Sequence, residues 1–175
     1  MDGKDKERLL IMSKIYIGID NGVTGSVTII KSKEIIHTCM PVRKEQSYTK
    51  KKQNISRIDV VKLKELFWNS CRIPNSNRER FCLLERPMIN PGRWKASMSA
   101  IRALEATLIV LEELNIPYQY CDSKEWQKMF LPNEIKGSMD LKRVAIDVAR
   151  RLFPKIKTKD ADSILIAEYA RRKGL

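Results

Sequence analysis

The chain has 175 residues, enough for one domain with a substantial core, and a 43% hydrophobic content that excludes a disordered chain. No apolar run reaches the length of a membrane span or has the flanks of a secretory signal, so an intracellular, cytoplasmic protein is expected. Lys and Arg number 34 against 21 Asp and Glu, and the formal charge of +13 favours polyanionic partners, nucleic acid among them.

The four cysteines, Cys39, Cys71, Cys82 and Cys121, form no CxxC pair, and His37 is the only histidine. This argues against zinc coordination and serine-histidine chemistry. Scattered reduced thiols fit an intracellular compartment.

Residues 1–13 read as a charged extension, with Met12 as an alternative start, and residues 14–175 as a single domain. The stretch IYIGIDNGVTGSVTII, residues 15–30, predicts a strand, a glycine-bracketed turn and a return strand. Asp20 falls at the end of the first strand, where a carboxylate is costly without a cation to meet it. A turn aspartate bonded to its own backbone would account for that residue alone. Residues 34–40 predict a third antiparallel strand, ended by Pro41.

Residues 42–57 carry Arg43, Lys44, Lys50, Lys51 and Lys52 with Tyr48 among them and little apolar content. The segment predicts a mobile surface loop, either a solvated charge run or a basic arm with Tyr48 able to stack on a base. A helix starting at Ser56 or Asp59 follows, with Val60, Leu63, Leu66 and Phe67 at helical spacing. After a polar connection, RFCLLE predicts a short buried strand ending in Glu85, for which a salt bridge to Arg86 is the plainest explanation.

PMINPGRW is a loop, and Arg93, Trp94 and Lys95 are candidate DNA contacts there, with packing over the next helix the plainer role for Trp94. Residues 96–114 predict the longest helix. Met98, Ile101, Leu104, Leu108 and Leu111 form one apolar stripe, and Ala100, Ala103, Thr107, Val110 and Leu114 form a second, smaller one. One face is expected on the sheet and the second at a two-fold dimer interface. A strand at 117–121, a short helix containing Trp126, a turn at 132–137 and a helix with Leu141, Val144, Ala145, Val148 and Leu152 follow. The last helix opens at KDADSILIAEYARRK. Asp160 and Asp162 suit its first turn as dipole and capping groups, and both can point one way only if Asp160 lies outside the helix.

Acids thus stand at the end of the first strand, the end of the fourth and the start of the final helix. With that element order, IGIDNGVTGS, LLERP, the long helix after it and DADSILIAEYA resemble the ribonuclease H-like superfamily, and within it the RuvC-type Holliday-junction resolvases. The resemblance implies an α/β fold whose mixed sheet has three antiparallel strands followed by parallel ones, flanked by helices. It also implies a structure-selective endonuclease using two magnesium ions, with manganese as a substitute, on branched DNA. Asp20, Glu85 and Asp162 match the family's acids. A further family acid falls where this chain has Lys159, so Asp160 is either its substitute or only a helix cap. The aromatic wedge of some relatives has Met88 and Trp94 as candidates. A small resolvase of this sort would suit a phage or prophage.

The residue types also make chemical sense directly. Magnesium prefers hard oxygen ligands, and paired metal ions can activate water and stabilise the leaving oxygen of a phosphodiester. Lys142 is the lysine expected near the cleaved phosphate. Other nucleases of this scaffold, acting on forks, flaps or RNA-DNA hybrids, remain open. An actin-like phosphotransferase, which needs two such domains, and a non-catalytic DNA-binding protein are weaker alternatives.

Overall fold

The structure is a computed structural model that describes residues 14–47, 50, 52–71, 79–135 and 137–175. The expected extension at 1–13, and Tyr48 and Lys51 of the basic segment, lie outside the described residues. Seven strands and five α-helices are present among those described: β1 (Ile15–Asp20), β2 (Ser26–Lys31), β3 (Glu34–Cys39), β4 (Val42–Gln46), β5 (Asn54–Ile58), α1 (Val60–Cys71), β6 (Arg80–Glu85), α2 (Trp94–Glu113), β7 (Tyr118–Cys121), α3 (Ser123–Phe130), α4 (Ser138–Leu152) and α5 (Asp162–Lys173).

The main sheet has the order β3-β2-β1-β6-β7. β1, β2 and β3 pair antiparallel, whereas β6 joins β1, and β7 joins β6, in parallel. This is the mixed sheet expected from the sequence. Strand alternation sorts its side chains onto two faces. Ile15, Ile17, Ile19, Val27, Ile29, Cys82 and Leu84 share a core with Leu63 and Phe67 of α1 and with Val110 and Leu111 of α2. Tyr16, Ile30, Phe81 and Leu83 share the other with Trp126 of α3, Ala145 of α4 and Ile164–Ala167 of α5. Each fully buried Ile or Leu contributes about 1.5–3 kcal/mol, so both faces are strongly anchored.

Asp20 has the parity of Tyr16, and Glu85 that of Phe81 and Leu83, so both acids project from the α5 face. Gly18, two residues before Asp20 on β1, lies directly against that helix. A Cβ there would collide with the Ser163 carbonyl oxygen and the Ala167 amide nitrogen. Only glycine lets α5 cross β1 at backbone distance, and that contact brings the start of α5 to the end of β1.

Two expectations need correction. The segment 42–57 is not a loop but for its turn: β4 and β5 form an antiparallel hairpin in which Arg43 faces Arg57 and Glu45 faces Ile55. Glu45 binds both arginines, at 2.6 Å to Arg43 and 2.7 Å to Arg57, offsetting the repulsion between them. Its helix-side end is closed by the Asp59 amide donating to Pro41 O, and Asp59 then accepts from the Lys62 amide at 3.1 Å as the cap of α1.

The second correction concerns α2. Its smaller stripe enters the core, with Ala103, Thr107 and Val110 buried, beside Leu111 of the larger one, whose Leu104 and Leu108 are only partly buried. Small side chains allow the helix to approach the sheet closely, and Thr107 returns its hydroxyl hydrogen to the Ala103 carbonyl. That second face is therefore not open to a partner. The exposed apolar residues of α2 beyond Trp94 are Ile101 and Ile109, at 42% and 44%.

Candidate active site

Asp20 and Glu85 come directly after Ile19 and Leu84, the last pair between the adjacent parallel strands β1 and β6. Their carboxyl groups are close enough that each shifts the other's titration. From the other side, α5 delivers Asp162 in its first turn, and Asp160 stands just before the Ala161 cap. Carboxylate oxygens of Asp20, Asp160 and Asp162 lie within 4.8 Å of one another. The structure thus brings together all four acids singled out in the sequence.

Of the two roles expected for Asp160, the cap is visible as a long hydrogen bond. Its Oδ1 accepts from the Asp162 amide at 3.4 Å, a weak cap, while Oδ2 accepts from the Ser26 hydroxyl at 2.7 Å. It lies outside the helix, as joint orientation with Asp162 requires. Glu85 does not pair with its neighbour Arg86, which instead meets Asp122 at 3.1 Å and stacks over Tyr120. Glu85 accepts from the Trp126 indole at 3.3 Å.

The electrostatics follow from this crowding. Burial pushes Asp20 up to about 8, with Glu85, Asp160 and Asp162 adding like-charge repulsion. Burial likewise pushes Glu85 up to about 7, helped by Asp162 and opposed by the Trp126 hydrogen bond. Asp162 rises to about 6 through burial and Asp160, and the Lys142 ammonium opposes that rise. The expected lysine is therefore close enough to act on the cluster. Half-buried carboxylates that repel one another fit divalent cations bound through hard oxygen ligands. The donor set contains no sulfur or imidazole, which suits magnesium or manganese rather than zinc.

The cation candidates lie on the β4–β5 hairpin and at the start of α2. Arg43 and Lys44 sit on β4, Lys50 in the hairpin turn and Lys52 before β5, whereas Arg93 ends a short 3-10 turn (Pro91–Arg93) and Trp94 and Lys95 begin α2. Arg43 is held by Glu45. Trp94 is 67% exposed, so the packing role expected for it is not its main one.

Similarity to solved structures can be read against this geometry. Thermus thermophilus RuvC in complex with a Holliday junction substrate superposes with a TM-score of 0.57 at 13% identity, over 92% of this chain and 96% of that one. Thermus thermophilus RuvC by itself gives 0.56 at 12% identity, over 91% and 96%. The fold is that of RuvC. The yeast mitochondrial Holliday junction resolvase Ydc2 matches more loosely, with a TM-score of 0.43 at 17% identity over 98% of this chain and 86% of that one. No protein-family model matches the sequence, and no curated protein does. The resemblance carried by IGIDNGVTGS, LLERP and DADSILIAEYA is thus borne out as a RuvC fold spanning nearly the whole chain.

Within this RuvC fold, a polar network supports the acids and was not visible in the sequence. Ser26 and Thr28 of β2 each bond to the Ser163 hydroxyl at 2.8 Å. Thr28 also meets His37 Nδ1 at 2.9 Å, and His37 Nε2 meets the Thr158 hydroxyl at 2.9 Å. Thr158 in turn donates to the Asp160 carbonyl and accepts from the Asp160 amide at 3.0 Å. The lone histidine thereby braces the segment that carries Asp160. The partners are far apart in sequence; only the antiparallel register that sets Thr28 opposite His37 offered a clue.

Proposed function

We propose that the protein is a metal-dependent, structure-selective DNA endonuclease that resolves four-way junctions by paired symmetric nicks. The observation that carries this reading is the convergence of Asp20, Glu85, Asp160 and Asp162 from two strand ends and one helix start on a RuvC fold. Magnesium ions bound by these four residues would supply the positive charge that activates water and stabilises the leaving oxygen.

The chain's own residues prepare that site. Ser26 holds one oxygen of Asp160, leaving the other toward Asp162. The Trp126 indole, 1% exposed, fixes Glu85 and keeps water from its side. Lys142 partly balances the cluster and is the group we assign to the cleaved phosphate's negative charge. Arg93, Trp94, Lys95, Lys44, Lys50 and Lys52, with Tyr48 and Lys51, are assigned to the DNA backbone and bases, drawing on the +13 charge.

Paired nicks need two sites related by a two-fold axis. A homodimer through α2 would use Ile101 and Ile109, the exposed apolar residues of its outer side, in place of the buried second stripe.

The test is incubation of the purified protein with labelled four-way junctions, forks, flaps, RNA-DNA hybrid and duplex, with magnesium or with chelator. Magnesium-dependent, symmetric cleavage of the junction is expected, with little cutting of duplex. Preferential cutting of hybrid or flaps would favour a different nuclease of the same fold, and no cleavage of any substrate would overturn the reading.

A further inference from the structure

His37 stands at one end of a chain of hydroxyl groups whose other end is Asp160. Ser26 Oγ meets Asp160 Oδ2 at 2.7 Å and Ser163 Oγ at 2.8 Å. Ser163 Oγ meets Thr28 Oγ1 at 2.8 Å, and Thr28 Oγ1 meets His37 Nδ1 at 2.9 Å. Ser26 and Thr28 come from β2, His37 from the neighbouring β3, and Ser163 from the first turn of α5. Ser26, Thr28 and Ser163 are at most 1% exposed, so protein groups rather than solvent supply the hydrogens between them.

Each hydroxyl carries one hydrogen, and an ionised carboxylate can only accept. Ser26 therefore gives its hydrogen to Asp160 and must accept from Ser163. Ser163 in turn must accept from Thr28, and Thr28 from His37. That last link requires a hydrogen on Nδ1. Ser163 also lies 3.4 Å from Nδ1, but its hydrogen is committed to the closer Ser26. On the other side of the ring, Nε2 lies 2.9 Å from the Thr158 hydroxyl, which also binds the Asp160 carbonyl and accepts from the Asp160 amide. A neutral ring with its hydrogen at Nδ1 leaves Nε2 as an acceptor, sharing the Thr158 hydrogen with that carbonyl in a three-centre bond. Burial favours this uncharged ring.

We infer that His37 is a positioning residue for the acidic cluster: as the neutral Nδ1–H tautomer, it fixes the direction of the Thr28–Ser163–Ser26 relay that donates to Asp160 Oδ2. With the hydrogen at Nε2 alone, the relay would run the other way and set a hydroxyl lone pair against the carboxylate. His37 acts on Asp160 only through these hydroxyls and Thr158. The inference rests on the reading of the acids as a metal centre, because a fixed Asp160 serves magnesium affinity, but the tautomer itself does not depend on that reading.

The test uses the full, untagged chain, in which His37 is the only histidine. Heteronuclear NMR of protein with nitrogen-labelled histidine, at pH 8 with saturating magnesium, reads the tautomer, and Nδ1–H is expected. Titration calorimetry with magnesium then compares variants. His37→Leu and Thr28→Val are each expected to weaken magnesium binding about tenfold or more. The two changes break one chain, so their combination should be no worse than the weaker single variant. His37→Asn, whose amide can donate from near the Nδ1 position, should recover most of the affinity, whereas His37→Gln, whose amide lies nearer Nε2, should not. A histidine that only packed would show no such split. Should Thr28→Val fail to fold, the tautomer and the Asn and Gln pair still decide. An Nε2–H ring in the native protein, native affinity in His37→Leu, additive losses in the double variant, or His37→Asn no better than His37→Gln would each overturn the inference. Magnesium binding with any of those results removes the relay alone; no magnesium binding by the native protein removes the metal centre itself.

Discussion

The Ser26 hydroxyl donates to Asp160 Oδ2 across 2.7 Å, joining the second strand to the segment before the last helix, 134 residues further along the chain. This bond gives an acid outside regular structure a fixed orientation. Ser26 is 1% exposed and also contacts Ser163, so it has little freedom of its own. Ser26→Ala is expected to weaken magnesium binding about 10–100-fold, as loss of a ligand-orienting partner typically does. Isothermal titration with magnesium or manganese measures this, and unchanged affinity would show that Asp160 needs no such support.

Trp126 plays the corresponding role for Glu85 through its 3.3 Å hydrogen bond. Trp126→Phe removes the donor and keeps an aromatic ring in the core. Junction cleavage should fall about tenfold or more, with a smaller loss of stability than Trp126→Ala, which leaves a cavity costing about 3–5 kcal/mol. Single-turnover cleavage and thermal melts of both variants separate the two effects.

The acids also set a pH dependence of stability. In the folded, metal-free protein burial and mutual repulsion push Asp20 up to about 8, Glu85 up to about 7 and Asp162 up to about 6, above the 3.8 and 4.5 of free Asp and Glu side chains. The folded state therefore holds protons that the unfolded chain has released, so stability falls as pH rises from about 4 to about 8. Melting of the metal-free protein should decrease over that window. Millimolar magnesium should raise the melting temperature at pH 8 and do little at pH 5, where protons occupy the same oxygens. Asp20→Asn should flatten the profile. A melting temperature that climbs steadily from pH 5 to pH 8 without metal would contradict this.

Gly18 is the steric hinge of the arrangement. A methyl group there meets the backbone of α5 at Ser163 and Ala167, neither of which can rotate away. Gly18→Ala is expected to cost about 3 kcal/mol, lowering the melting temperature by about 6–12 °C, and to displace Asp162 from Asp20. Denaturation and magnesium titration of this variant should show both losses together.

Much of the site was legible in the sequence because it relies on local signals. Alternation through Ile15–Asp20 and the short apolar run in Arg80–Glu85 identified the strands and their terminal acids, and the apolar pattern after Asp162 identified the last helix. Two kinds of feature escaped. The hairpin at Val42–Ile58 has few apolar residues and is held by a glutamate between two arginines, so its composition looked like a loop. The packing face of α2 was obscured because small residues, Ala103 and Thr107, share it with Val110 and Leu111. The braces of the acids, from Ser26 to Asp160 and from Trp126 to Glu85, span 134 and 41 residues and exist only in the folded chain.

The central claim is that Asp20 and Glu85 act with Asp160 and Asp162 as one metal-binding, phosphodiester-cleaving centre. Its most direct measurement is single-turnover cleavage of a labelled four-way junction by Asp20→Asn and Glu85→Gln, with junction binding measured in parallel. Both variants should bind the junction at least as tightly as the native protein and cut it at least about 10²–10³-fold more slowly at saturating magnesium. Cleavage by either variant within a few fold of the native rate would contradict the account.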